Sequence, residues 1–333
     1  MFNTNYCNIS FNDTSLYKTY GRTFTNDNGL NLSWSNSGIE FTFKGERANI
    51  FFADYICDKP VYVKAYIDGK AQKFGLCGSM PAIVIECDKD AVHTVKLLRI
   101  SEGDVYLVFK NVTVYGKSPE FIVPKTENKL KLEFLGDSIT TGWGVCATGE
   151  QNAFNTYEQD STKSYAYMTA ELLNAEIRTE AIGGQGVWRN CAKAEGIQFK
   201  HMFDMSVRNI ENYDHSTWTP DVMILHCGTN DEPGGTTEEE MIREANILLD
   251  KVRTAYPECK IIWMYGMLNS KFKSTFKDII DERRCADKNV YYLPLEKISR
   301  EKNEVGAVGH PNVNASVKVS KKLARYIKKI TEE

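Results

Sequence analysis

The sequence predicts a two-domain chain: an all-β domain of the sandwich type, then an α/β domain whose mainly parallel sheet is covered on both faces. Three observations carry this. Residues 1–116 hold short alternating runs with no helical period, and residues 117–129 turn polar and proline-bearing. From 130 onward apolar runs alternate with amphipathic stretches. A chain of 333 residues is long enough for two cores.

In the first domain Gly38-Ile39-Glu40-Phe41-Thr42-Phe43 alternates as a half-buried strand does, and Ala48 to Phe52 reads as a second strand after a polar turn, Lys44-Gly45-Glu46-Arg47. Val61 to Ile67 runs into Asp68-Gly69, a two-residue hairpin signal. Val92 to Ile100 and Val105 to Val114 read as another hairpin, around Ser101-Glu102-Gly103-Asp104. Many short strands at this spacing predict a jelly-roll-like β-sandwich. The boundaries follow: residues 1–116 an accessory β-sandwich, 117–129 a linker through Pro119 and Pro124, and 130–333 the α/β domain.

Within the α/β domain, buried strands are expected at 131–136, 176–182, 221–227, 260–266 and 289–294, with helices at about 162–174, 237–255 and 312–331. Met241, Ile242, Ala245, Leu248, Leu249 and Val252 form one stripe at the 3.6-residue period. The last helix opens at Pro311, and its Lys and Arg residues suit a helix carboxyl end.

Composition narrows the function. Hydrophobic content of 42% with mixed charges argues for packed cores, and a net charge of −3 asks for neither nucleic acid nor an anionic membrane as partner. No apolar run reaches the ~18 residues of a membrane helix. Nine cysteines without close CxxC pairs, and no clustered His/Asp set, predict no metal, no cofactor and free thiols. The opening Met1-Phe2-Asn3-Thr4-Asn5 lacks the basic and apolar regions of a signal peptide, so a cytoplasmic protein is expected.

Four segments carry chemistry. The strand Leu132 to Leu135 ends in Gly136-Asp137-Ser138, placing a serine where open α/β sheets hold their ligands. Alone, Asp-Ser after a strand is ordinary cap chemistry. Three later element ends add Gly183-Gly184-Gln185-Gly186, Gly228-Thr229-Asn230-Asp231 and Gly309-His310-Pro311-Asn312. Hydrolysing an ester needs a nucleophile, a base and donors for the oxyanion. Ser138 is the candidate nucleophile and His310 the candidate base, between the last strand and last helix. Gly184 can present its N–H without a Cβ in the way, and Asn230 adds a neutral side-chain donor. His93 falls in the β-domain, and His201 and His215 in a polar connection. His226 sits on the strand before Asn230, packed near the site without acting as base.

Serine, glycine, asparagine and histidine in this order resemble the SGNH (GDSL-type) hydrolases over residues ~130–331, and the lack of a Gly-x-Ser-x-Gly elbow around Ser138 disfavours the larger α/β-hydrolase family. The resemblance implies a flavodoxin-like, three-layer domain with a five-stranded parallel sheet. It also implies that Ser138 is nucleophile and, through its N–H, part of an oxyanion hole with Gly184 and Asn230, and that His310 is the general base. A β-sandwich in front of such a domain is similar to carbohydrate esterase family 2. That likeness implies an acetyl esterase acting on xylan- or mannan-type oligo- or polysaccharides.

One position departs from the pattern. Three residues before the histidine, where such hydrolases commonly hold an aspartate, stands Ala307. In a serine triad the wrong imidazole tautomer costs ~10⁴ in rate. Family-2 resemblance implies a Ser–His dyad in which a backbone carbonyl orients the ring, with Glu301 or Glu304 as the less favoured alternative. For the substrate, Trp143 and Trp188 are candidate stacking faces at the mouth of the site, with packing of a helix onto the sheet as the other reading. Trp218 reads first as structural and second as bordering the cleft, and the polar loop from Val145 to Asp160 as a specificity loop or a solvated connection. An acyl hydrolase of lipid or thioesters, and a disabled hydrolase that only binds carbohydrate, are the competing readings.

Overall fold

The structure, a computed structural model, describes residues 5–55, 59–79, 81–102, 106–125, 127–151, 153–192 and 196–332. Two compact units meet the eye, Met1–Asn128 and Lys129–Glu333.

The first unit is built on strands alone. Its ten strands among the described residues share one hydrogen-bonded network, through which two long strands run, Gly38–Phe52 and Ala82–Arg99. Lys44 to Arg47 is not the turn the sequence predicts but an irregularity inside one continuous strand, where the register shifts between Gly45 and Arg47. Side chains record the shift: Ile39, Phe41 and Phe43 face the core before it, Ala48, Ile50 and Phe52 after it, so the inward parity changes from odd to even. Gly45 permits the close approach, since a Cβ there would stand 2.5 Å from the Tyr115 carbonyl oxygen. Val61–Ile67 and Lys70–Leu76 form the expected hairpin, with Asp68 and Gly69 both at positive φ. The turn at Gly103 and Asp104 lies outside the described residues, as does Cys57. Glu120–Ile122, within the segment read as linker, pairs antiparallel with Thr42 to Lys44.

The second unit holds five parallel strands, β1 (Lys131–Gly136), β2 (Glu176–Ala181), β3 (Val222–His226), β4 (Lys260–Tyr265) and β5 (Val290–Pro294), in the order β2-β1-β3-β4-β5. Strand β3 is buried throughout, as a parallel strand covered on both faces must be. The chain moves one way from β1 to β2 and the other way from β3 onward. Right-handed crossovers therefore put Tyr165–Leu173 on one face and Glu238–Ala255 and Lys273–Arg283 on the other. The terminal helix Val313–Glu332 packs with Tyr165–Leu173. Reversal of strand order opens a crevice at the carboxyl ends of β1 and β3, the usual ligand position in such sheets. Among the described residues no helix is long and apolar enough to cross a membrane.

Candidate active site

Ser138 begins a single helical turn, Ser138–Thr141, directly beyond β1. Asp137 caps that turn, its carboxylate accepting from the Ile139 N–H at 2.9 Å, which fixes where the serine points. The Ser138 hydroxyl lies 2.9 Å from His310 Nε2. Residues 172 positions apart thus meet at hydrogen-bond distance.

The other ring nitrogen answers the question posed by Ala307. His310 Nδ1 is 3.2 Å from the Val308 carbonyl oxygen. A proton on Nδ1 donates to that carbonyl and leaves Nε2 free to accept from the serine, which is the tautomer a base requires. Val308 adopts φ 49°, an unfavourable value for a β-branched residue, and turns its carbonyl back onto the ring. The Val308 N–H donates to the Gln151 carbonyl at 2.6 Å, the His310 N–H donates to the Ala307 carbonyl at 3.0 Å, and Gly306 N–H donates to the His310 carbonyl at 2.7 Å. Glu150 and Arg300 add a bidentate ion pair between the same two loops. Glu304 is engaged elsewhere, accepting from the Ser299 N–H and pairing with Lys318, and Glu301 is exposed. Burial lowers the His310 pKa from its usual 6.5, opposed by the carbonyls of Val308 and Ala307.

Gly184 follows β2 with φ 80°, a conformation glycine adopts freely. Among the described residues neither its N–H nor that of Ser138 has an acceptor. Asn230, just past β3, donates from Nδ2 to the Gln185 carbonyl at 2.8 Å and reaches Asp137 Oδ2 at 3.4 Å. The sequence singles out Asn230 but gives no role to its neighbour Asp231. That buried carboxylate accepts from the N–H groups of Val187, Trp188 and Arg189 at 2.7, 2.8 and 3.0 Å. Burial pushes its pKa up, while these bonds pull it down. The only hint in the sequence is an acid beside the asparagine, which reads equally as a helix cap.

The three tryptophans part company. Trp143 stacks on Phe154 (centroids 4.0 Å apart, 16° between planes) and lies 4.4 Å from the His310 ring. The loop from Val145 to Asp160 therefore contributes Phe154 and Gln151 to the surroundings of His310. Trp188 instead lies against Lys200 and Arg243, at 5.3 and 5.4 Å. Trp218 corrects the sequence expectation: its Nε1–H donates to Glu176 Oε1 at 2.8 Å, with the Arg178 guanidinium 4.2 Å over the ring. Glu176 opens β2, whereas Ser138 follows the end of β1, so Trp218 sits at the opposite edge of a sheet whose six-residue strands span roughly 20 Å. It is packing, not site.

The remaining histidines are accounted for. His93 pairs with Asp68 at 2.7 Å, His201 takes part in a capping box with Gln198, and His215 stacks on Phe203. His226 is fully buried against Tyr165, and burial pushes its pKa down to about 4, so it stays neutral. Among the described residues no three His, Cys, Asp or Glu side chains converge for a metal ion.

Comparison with known proteins bears on this arrangement. A family model described as GDSL-like Lipase/Acylhydrolase family matches residues 134–313, and one described as Carbohydrate esterase 2 N-terminal matches residues 19–121. The chain is 24% identical over 329 residues to the Cellulase/esterase CelE of Acetivibrio thermocellus, covering 92% of this chain and 38% of that protein. It is 23% identical over 332 residues to an acetylxylan esterase / glucomannan deacetylase of Cellvibrio japonicus, covering 94% and 88%. Among solved structures it resembles an acetyl xylan esterase (Est2A) from the rumen bacterium Butyrivibrio proteoclasticus, with TM-score 0.88, 21% identity, and 98% and 99% of the two chains covered. It also resembles a family two carbohydrate esterase from Clostridium thermocellum solved with cellohexaose, with TM-score 0.85, 22% identity, and 95% and 99% covered. At these identities the structural likeness establishes the fold.

Proposed function

We propose, for a chain that belongs to the GDSL-like lipase/acylhydrolase family, that it removes acetyl groups from xylan- or mannan-type oligo- or polysaccharides through an acyl-enzyme, using a Ser–His dyad. The observation that carries the reading is the 2.9 Å contact between Ser138 Oγ and His310 Nε2, with the Val308 carbonyl at Nδ1.

The chemistry follows from the donors and acceptors. Neutral His310 takes the Ser138 proton as Oγ attacks the acetyl carbonyl carbon. The carbonyl oxygen becomes an oxyanion, met by the N–H groups of Ser138 and Gly184 and by Asn230 Nδ2, whose contact with Asp137 Oδ2 is long at 3.4 Å and gives way to the oxyanion. Collapse breaks the bond to the sugar oxygen, which leaves with the proton from His310 Nε2. Water then attacks the acetyl-serine, with His310 again taking and returning the proton. The names of the relatives and of the N-terminal family support an acetylated glycan as substrate. The Trp143–Phe154 stack beside His310 offers a flat apolar wall for a sugar ring.

The test is release of acetate from 4-nitrophenyl acetate and from acetylated xylo- and manno-oligosaccharides, beside 4-nitrophenyl butyrate, for wild type and Ser138→Ala. Ser138→Ala is expected to lose at least ~10³-fold in kcat, and the sugar esters to be turned over faster than the butyrate. Equal rates on butyrate and acetate would favour an acyl hydrolase of other specificity. Turnover unaffected by Ser138→Ala would sink the serine mechanism.

A further inference from the structure

We infer that Asp231 is a positioning residue for catalysis: its carboxylate sets the shape of the Gly183–Cys191 loop and so the place of the Gly184 N–H in the oxyanion hole. The inference rests on reading the site as an ester hydrolase and concerns a residue that never touches substrate.

Three successive backbone N–H groups, of Val187, Trp188 and Arg189, converge on the two oxygens of this one buried side chain, and the Thr236 hydroxyl donates to Oδ1 at 3.0 Å. The loop closes on itself through the Cys191 N–H, which donates to the Gly184 carbonyl at 3.0 Å, and through Gly186 N–H to Asn190 Oδ1 at 3.1 Å. Fixing residues 187–189 therefore fixes Gly184 at the other end of the closure. Sterics demand the same geometry. A Cβ on Gly186 would stand 2.0 Å from the Arg189 carbonyl oxygen and 2.8 Å from Asp231 Oδ2, and a Cβ on Gly234 would stand 2.8 Å from the Asn190 carbonyl oxygen. Asn230 holds the Gln185 carbonyl, so two consecutive residues past β3 grip the loop by a carbonyl and by its amides. Oxyanion donors act only when held within about half an ångström of the developing charge.

Asp231→Asn keeps the size and replaces one acceptor oxygen with an NH2 group. With N–H donors facing both oxygens, either rotamer sets a donor against a donor and displaces the loop. The full chain is assayed on 4-nitrophenyl acetate and with phenylboronic acid as probe. The Ser138 oxygen adds to the trigonal boron, the serine proton passes to His310, and the tetrahedral boronate carries its negative charge into the oxyanion hole. For Asp231→Asn, kcat is expected to fall about 100-fold with KM within about threefold, and boronate inhibition to weaken by a similar factor. The inhibition constant separates positioning from mere folding, because a smaller folded fraction lowers apparent kcat and leaves that constant unchanged. A boronate constant within about threefold of wild type overturns the inference. If Asp231→Asn does not fold, Thr236→Val decides: weakening of boronate by about three- to tenfold upholds the inference, and no change overturns it. Ser138→Ala run alongside keeps the two failures apart, since loss of turnover there with a wild-type Asp231→Asn rejects only the role of Asp231.

Discussion

Burial holds the His310 imidazole below its usual 6.5 against the pull of the Val308 and Ala307 carbonyls. Only the neutral ring can take the Ser138 proton. The fraction in that form grows as pH rises through the pKa, so kcat/KM on 4-nitrophenyl acetate is expected to climb with pH and reach half its maximum below pH 6.5. A triad aspartate at Nδ1 would act in the opposite sense, stabilising the imidazolium and moving the midpoint up. Replacing that aspartate with Ala307 and a carbonyl therefore has a direct kinetic signature. A midpoint above 7 would contradict His310 as a base oriented by a neutral acceptor. His226 cannot stand in, because its ring is sealed against Tyr165 and stays neutral down to about pH 4.

The segment 304–311 works as an element although it has no regular structure. It is tied to Gln151 through the Val308 N–H, the nearby Arg300 pairs with Glu150, and a left-handed valine aims one carbonyl. Val308→Asn keeps the carbonyl and puts a residue there that accepts positive φ, so stability is expected to rise by up to ~1 kcal/mol in denaturant midpoint while kcat stays within about threefold. A loss of kcat beyond thirtyfold would mean that the valine side chain, not its carbonyl, holds the ring. This loop also shows where the sequence is silent. Ser138 and Asn230 are legible because each follows a strand with an apolar run, Gly184 because its segment is glycine-rich, and His310 because it stands just before the last amphipathic helix. No residue type announces a backbone carbonyl at Nδ1, and Ala307 reveals only what is missing. The helix Lys273–Arg283 escapes the sequence reading for a related reason: only Phe276, Ile279 and Ile280 mark its apolar stripe among charges, and Phe272 gives it no side-chain cap. Lys44 to Arg47 looks like a turn because a register shift and a turn both call for glycine amid polar residues. Trp218 precedes its strand, which in a parallel sheet puts it at the amino end, away from the carboxyl-end crevice, and its structural reading follows from that.

Taken as a whole molecule, the chain has two cores with different grammars. In the first unit the cluster around Phe41, Phe43, Ile50, Phe52, Val95 and Phe109 is drawn from strands between Ile9 and Val114, whereas the four residues of the candidate site all belong to the second. Four of the five tryptophans, all but Trp34, also lie in the second unit, so intrinsic fluorescence reports mainly on that core. Phe43 is fully buried, and Phe43→Ala should cost the first core about 3–5 kcal/mol through lost contacts and the cavity left behind. If each core unfolds as its own cooperative unit, two calorimetric transitions are expected, and the substitution should lower one of them while the transition followed by fluorescence stays in place. Turnover of 4-nitrophenyl acetate at 25 °C should then persist, because Ser138, Gly184, Asn230 and His310 keep their own core intact. A single transition, lowered together by both probes and carrying the esterase activity with it, would instead mean that the β-unit stabilises the second core, and that a substitution far in sequence from Ser138 can silence the chemistry through folding alone.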